Sequence, residues 1–176
     1  MLPELMRPFE LRPGASRELA DGTRVSTDDV YAMFVAARAG DLDRVRALVA
    51  DAPGLATVEY NYTPPIHFAV REGHAEVVQF LLTQGADPAY RSYPFQESLL
   101  QFAEDRGHAD VAAILRDPLS RRFPLAPGTA LLIEAARTGD LEVVRAELIR
   151  DPGLARVSNE TGDTPLLQAA HKGHLE

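Results

Sequence analysis

Apolar residues along this chain recur at helical spacing in short segments, and the segments come in pairs parted by a glycine. Five glycines mark the joints: Gly40, Gly73, Gly107, Gly139 and Gly173, separated by 33, 34, 32 and 34 residues. Seven positions before each stands an apolar residue (Met33, Ile66, Leu100, Leu132, Leu166), and four before each an alanine (Ala36, Ala69, Ala103, Ala135, Ala169). The residue after each is Asp or His (Asp41, His74, His108, Asp140, His174), and the third after is an acid (Asp43, Glu76, Asp110, Glu142, Glu176). Columns kept through five copies define a repeat, and the repeat decides the architecture.

Each column has a physical task. The apolar residue and the alanine lie three apart, on one face of a predicted first helix. Alanine there lets neighbouring helices approach closely. Glycine takes the left-handed conformation that ends the helix at low steric cost. Asp or His then opens a second helix, and the acid two residues on sits in its first turn, where the helix dipole favours negative charge. The second helices are predicted at 42–49, 75–82, 109–115 and 141–149, the third of them cut short by Asp117-Pro118. One helix pair cannot bury its own apolar face, so the copies must stack on one another. The predicted class is all-α, with strand confined to hairpin-like connectors.

The motifs resemble those of the ankyrin repeat. The second copy reads Pro65-Ile-His67-Phe-Ala69, then Gly73-His-Ala-Glu-Val-Val78 and Leu81-Leu-Thr-Gln-Gly-Ala-Asp87; the fifth reads Thr164-Pro-Leu-Leu-Gln-Ala-Ala170 and Gly173-His-Leu-Glu176. The first and fourth copies carry Pro53-Gly-Leu-Ala56 and Pro152-Gly-Leu-Ala155 in place of Gly-Ala-Asp. The resemblance covers roughly 28–176 and implies an ankyrin solenoid of four complete repeats and half of a fifth, at about 28–59, 60–93, 94–126, 127–159 and 160–176. The third copy lacks the Thr-Pro start. A connector with Pro118, Pro124 and Pro127 follows it, which marks that seam as the weakest.

Residues 1–27 precede the repeats. Their prolines, with Gly14 and Gly22, predict extended or irregular chain, and Ser26 with Asp29 an N-cap for the first helix. Leu2, Leu5, Met6, Phe9 and Leu11 are candidates to cover the open side of the first repeat. At the other end the sequence reaches Glu176 where the fifth copy's second helix is due. The expectation is a natural protein that continues into further repeats, with Leu166 and Leu167 short of cover.

Composition narrows the function. A net charge of −8 and a pI near 5.1 argue against a nucleic-acid partner, which favours a basic face. The absence of cysteine excludes disulfides, thiolate catalysis and Cys-ligated zinc. With no signal peptide and no apolar run of membrane-spanning length, the placement expected is cytoplasmic, without membrane association. Lys172 stands alone among seventeen arginines, a bias of GC-rich coding sequences that suggests a bacterial source. His171 and His174 are parted by a helix-ending glycine, so they do not share a helix face for a metal. No phosphate loop or nucleophile elbow is present. The expectation is a non-catalytic chain without cofactor or small-molecule substrate.

What remains is protein binding, and the resemblance implies where. In an ankyrin stack the connectors form fingers along one wall of a concave groove. Tyr60, Tyr62, Tyr90, Tyr93 and Phe95 fall in two of them; Phe68 and Phe102 stand five before their glycines, and Arg38, Arg71 and Arg137 two before theirs. Aromatic rings and arginines dominate binding hot spots. The alternative is that long fingers fold back and bury these rings locally. The function expected is a protein-interaction scaffold, monomeric or paired through its C-terminal repeat. The alternatives are the regulatory or targeting arm of a larger protein, and an architectural spacer.

Overall fold

The computed structural model describes residues 5–122, 125–159 and 162–174. Leu2, Pro124 and Glu176 lie outside them. The chain forms two compact units, Met1–Arg116 and Asp117–Glu176. The division falls at the seam that the proline-rich connector marks.

In the first unit helix pairs follow one another: α1 (Thr27–Ala39) with α2 (Leu42–Asp51), then α3 (Pro65–Glu72) with α4 (Ala75–Thr83), then α5 (Leu99–Asp105) leading to α6 (Ala109–Arg122), whose residues from Asp117 on are assigned to the second unit. The first helices α1, α3 and α5 pack side by side. Ala36, Ala69 and Ala103 are buried along that contact, with Met33 and Ile66 fully enclosed beneath them. Any larger side chain in the alanine column would push the helices apart. Val45, Leu48, Val77, Val78 and Leu81 of the second helices close the other side of the core. The second unit contains α7 (Thr129–Thr138), α8 (Leu141–Arg150) and α9 (Pro165–Lys172), with α7 against both others.

The joint after each first helix is built as expected. Gly40, Gly73, Gly139 and Gly173 are all left-handed, with φ from 75° to 82°. The Asp-or-His column divides into two tasks. Asp41 caps α2 by accepting from the Arg44 amide at 3.0 Å, and Asp140 caps α8 through the Val143 amide at 3.2 Å. His74 leaves its helix uncapped and reaches back to the preceding repeat, where its Nε2 donates to the Arg38 carbonyl at 2.8 Å. His108 does the same to Arg71 and His174 to Arg137, each at 3.2 Å. The carbonyl only accepts, so the bond fixes the proton on Nε2. The imidazole lies against the glycine of the repeat it joins: a Cβ on Gly40 would stand 2.6 Å from His74 Nδ1. The glycine column therefore serves close approach as well as chain reversal.

Three departures from the sequence reading appear. Strand is not confined to the connectors: within the N-terminal segment, expected to be extended or irregular, β1 (Ser16–Glu18) and β2 (Arg24–Ser26) form an antiparallel hairpin, register Arg17 to Val25, turned by Gly22 at φ 83°. Of the apolar residues proposed to cover the first repeat, Leu11 is buried, but Met6 and Phe9 face solvent; Leu19 and Val25 of the hairpin region are buried in their stead. Leu5 supplies the backbone carbonyl that accepts from the Tyr31 hydroxyl. Finally, Pro118 does not end α6, which runs through it to Arg122. A proline in a helix loses one backbone bond, and here Leu119 is buried just past it while Arg121 pairs with Asp117 at 2.6 Å across the same turn. The cap expected of Ser26 is present: its Oγ accepts from the Asp29 amide at 3.0 Å and donates to the Asp29 carboxylate at 2.7 Å.

Candidate partner-binding surface

Two fingers project from the first unit. The first is a tight reversal in which Tyr60 and Thr63 exchange both backbone bonds, at 3.2 and 2.9 Å. Its two central residues, Asn61 and Tyr62, lie at φ 47° and 63°. A reversal with two left-handed residues takes Asn-Gly by preference. Tyrosine in the glycine place costs about 1–2 kcal/mol of backbone strain, and its ring is 67% exposed. The second finger is pinned at its base by the Arg91–Ser98 bridge, with Ser92 N donating to Glu97 O at 2.9 Å and Gln96 N to Ser92 O at 2.7 Å. Its tip is Tyr93-Pro94-Phe95-Gln96, with a cis Tyr93–Pro94 peptide and Gln96 at φ 58°. Tyr93 and Phe95 are 68% and 79% exposed. The Tyr62 and Tyr93 rings meet across the two fingers, with centroids 5.2 Å apart and planes at 48°.

The other two tyrosines of the fingers are half-buried and engaged within the chain. Tyr60 donates its hydroxyl to Glu10 at 2.8 Å, a bond that raises the Tyr60 pKa. Tyr90 is half-buried, and its phenol pKa is raised by burial and by the charge of Glu59. It lies edge-on to His67 at 5.8 Å, and His67 is likewise edge-on to Phe102 at 4.9 Å and Phe68 at 5.8 Å; Phe34 meets Phe68 at 5.8 Å. This aromatic platform is the base from which the tips rise. Each finger thus carries one half-buried tyrosine and one exposed tyrosine.

His67 is buried in this platform, and its Nδ1 has no hydrogen-bond partner. Burial first, and then the charges of Arg71 and Arg106, push its pKa down to about 4. Three residues before His67 stands Pro64, which has no hydroxyl to offer that nitrogen. In the same column of the fifth copy stands Thr164, whose hydroxyl accepts from the Leu167 amide at 3.1 Å; Pro64 has no such group, and α3 lacks a side-chain cap.

The arginines are placed less simply. Arg38 is buried and Arg71 half-exposed, and both are paired with Glu72, at 3.7 and 3.1 Å. Arg71 also lies over the Phe68 ring, 6.0 Å from its centroid. Arg137 belongs to the second unit, where it pairs with Glu134 at 2.6 Å. Tyr62 and Tyr93 are therefore brought together and exposed, Phe95 is exposed on the same finger as Tyr93, Phe68 and Phe102 are half-buried, and Arg38 and Arg71 converge on one carboxylate. Glu72 was missed in the sequence, where its position one before the glycine was the available signal. The left-handed tip was missed as well; the tight-turn preference of Asn61 pointed to it.

The second unit carries a separate groove of about 640 Å³, lined by Leu141, Val144, Leu148, Leu166, Ala169 and His174 among others. Leu166 is 77% exposed, whereas Ile66, in the same column of the first unit, is fully buried. Among the described residues no three His, Asp or Glu side chains are arranged to hold a metal, and no helix is long and apolar enough to cross a membrane.

Stacked helix pairs with glycine joints and projecting fingers define a repeat protein whose surface is shaped for contact. Residues 11–92 match the family model described as ankyrin repeats, in three copies, and the helix pairs form the repeats of an ankyrin fold. Among its relatives is the probable E3 ubiquitin-protein ligase XBOS32 of Oryza sativa subsp. japonica, 29% identical over 80% of this chain and 35% of that protein. The probable E3 ubiquitin-protein ligase XBOS33 of the same plant is 36% identical over 62% of the chain and 22% of its own length. The E3 ubiquitin-protein ligase XBAT33 of Arabidopsis thaliana is 36% identical over 64% and 23%. The chain thus spans about a third or less of each relative's length. These relatives are plant proteins and lend nothing to the bacterial source that the arginine bias suggests. Ankyrin repeats are a non-catalytic module of protein–protein interaction.

Proposed function

We propose that the chain binds a partner protein through the tips of its two fingers, with Tyr62, Tyr93 and Phe95 as the anchoring rings and the His67 platform as their rigid support. The observation that carries this reading is Tyr62. Its backbone sits in a conformation tyrosine disfavours, and the conformation serves no burial, because the ring stands in solvent against Tyr93. Strain of this kind persists where the surrounding structure holds it for a purpose. Exposed aromatic rings offer large contact area at small entropic cost.

A second reading is favoured by the relatives. Three ubiquitin ligases share this segment, and it makes up a third or less of each. In a larger protein of that kind the repeats would be the targeting arm, and the captured protein the one presented for ubiquitin transfer. Affinity capture from the native host tests the first reading, using the wild-type chain beside a Tyr62→Ala, Tyr93→Ala, Phe95→Ala variant. A protein retained by the former and lost from the latter supports the fingertips as the site. Equal retention by both moves the site elsewhere.

A further inference from the structure

We propose that the apolar groove of the second unit, a surface separate from the fingertips, takes an amphipathic α-helix of a partner protein with the residue pattern of α4: aliphatic side chains at i, i+1 and i+4 and an aromatic ring at i+3. The repeat supplies the template. Val144, Leu148, Leu166 and Ala169 line the groove of about 640 Å³ and stand in the columns of Val45, Val49, Ile66 and Ala69. Those four are buried in the first unit, where α4 packs on both α2 and α3. In the second unit Val144, Leu148 and Ala169 are only half-buried and Leu166 is 77% exposed. Among the described residues no helix covers them as α4 covers their counterparts.

The pattern is read from α4 itself. That helix buries Val77, Val78 and Leu81, which share one of its faces. Beside them Phe80 lies under the Arg46 guanidinium, 5.7 Å from its ring centroid. Arg46 stands six residues after its joint glycine, and Arg145 holds the same place in the second unit, where it is exposed with the Glu142 carboxylate 3.9 Å away. A helix seated in the register of α4 brings its i+3 residue under Arg145, and an aromatic ring there gains a cation over its face. Withdrawing Leu166 and the half-buried walls from water drives the association. A second copy of this chain is a poorer occupant, since its own exposed Leu166 is a wall of its own groove and two chains of net charge −8 repel each other.

The probe is a capped peptide of residues 73–85 carrying Gln79→Lys and Thr83→Asp, two exposed positions of α4, joined as a lactam. The bridge holds the free peptide helical, because a helix of this length is marginal in water by itself. Added to the isotope-labelled full chain, the peptide should shift the methyl signals of Val144, Leu148 and Leu166 saturably by about 1 mM and leave those of Val45 and Ile66 still. The same peptide with Val78→Asp and Leu81→Asp should shift nothing. Phe80→Ala in the peptide and Arg145→Ala in the chain should each weaken binding by roughly two- to fivefold, and together no more than either alone. Leu166→Asp, at an exposed position, should abolish the shifts while the circular dichroism of the chain stays unaltered. The proposal is overturned if no shift appears, if the aspartate peptide acts as strongly, or if the shifts survive Leu166→Asp. Groove shifts that appear on concentrating the chain alone, together with sedimentation as a dimer, overturn it in favour of a second copy. A Phe80 effect undiminished in the Arg145→Ala chain overturns the aromatic position of the pattern.

Discussion

Pro64→Thr should stabilise the first unit, and its size can be worked from the repeat itself. Pro64 sits at φ −84°, ψ 163°, and Thr164 in the matching column at φ −102°, ψ 159°, so threonine fits the backbone already present. The following Pro65 holds the residue before it in this extended region. A threonine hydroxyl at 64 would accept from the His67 amide, as Thr164 does from Leu167, and an N-cap of this kind is worth about 1 kcal/mol. Its own proton then becomes the donor that the buried His67 Nδ1 lacks, and satisfying an orphaned buried group adds roughly 1 kcal/mol more. Against this, losing a proline loosens the unfolded chain by about 0.4–1 kcal/mol. The net gain is about 1 kcal/mol, or a rise in Tm of about 2–4 °C for a chain of this length. Urea melts of both proteins at pH 7 measure the difference. An unchanged or lowered midpoint would refute the reasoning, because the orphaned nitrogen would then not be costing stability.

Other consequences follow from the same contacts. His67 is neutral when folded, with its pKa pushed down to about 4 from an ordinary 6.5, so its contribution is complete above pH 6.5 and is lost as pH falls towards 4. By pH 5 the loss should be about 2 kcal/mol at about 1.4 kcal/mol per pH unit, and stability curves of His67→Leu should lack that slope. Gly73→Val should cost more than Gly85→Val. Both are left-handed, but only at Gly73 does a Cβ meet an imidazole, at 2.7 Å from His108 Nδ1, so the difference in melting free energy, about 1 kcal/mol or more, measures the loss of the His108–Arg71 bond. Ala103→Leu should overpack the fully buried helix contact by about 1–3 kcal/mol, read as a lowered urea midpoint.

The repeat was legible because its columns answer to local physics. A left-handed glycine, a small residue at a close helix contact and an acid in a first turn each leave a mark in the residue itself. The hairpin at Ser16–Ser26 left a weaker mark, since three-residue strands give little alternation and prolines upstream favour irregular chain. Pro118 misled for a related reason: its helix-breaking preference is local, whereas the burial of Leu119 that accompanies the continuing helix depends on tertiary structure. The candidate site was legible by composition and not by orientation. Tyrosine at 60, 62, 90 and 93 marked the fingers, but which ring is half-buried depends on partners distant in sequence, Glu10 for Tyr60 and His67 for Tyr90. The convergence of Arg38 and Arg71 on Glu72 is likewise a property of two repeats brought side by side.

The central claim, that exposed fingertip rings anchor a protein partner, is tested most directly by calorimetric titration of the captured partner into the wild-type chain and into the Tyr62→Ala, Tyr93→Ala, Phe95→Ala variant. All three side chains are largely exposed, so the variant should keep its circular dichroism and melting midpoint. Its affinity should fall by more than about 2 kcal/mol, roughly thirtyfold. An affinity unchanged within error, in a variant that is folded as the wild type is, would contradict the account.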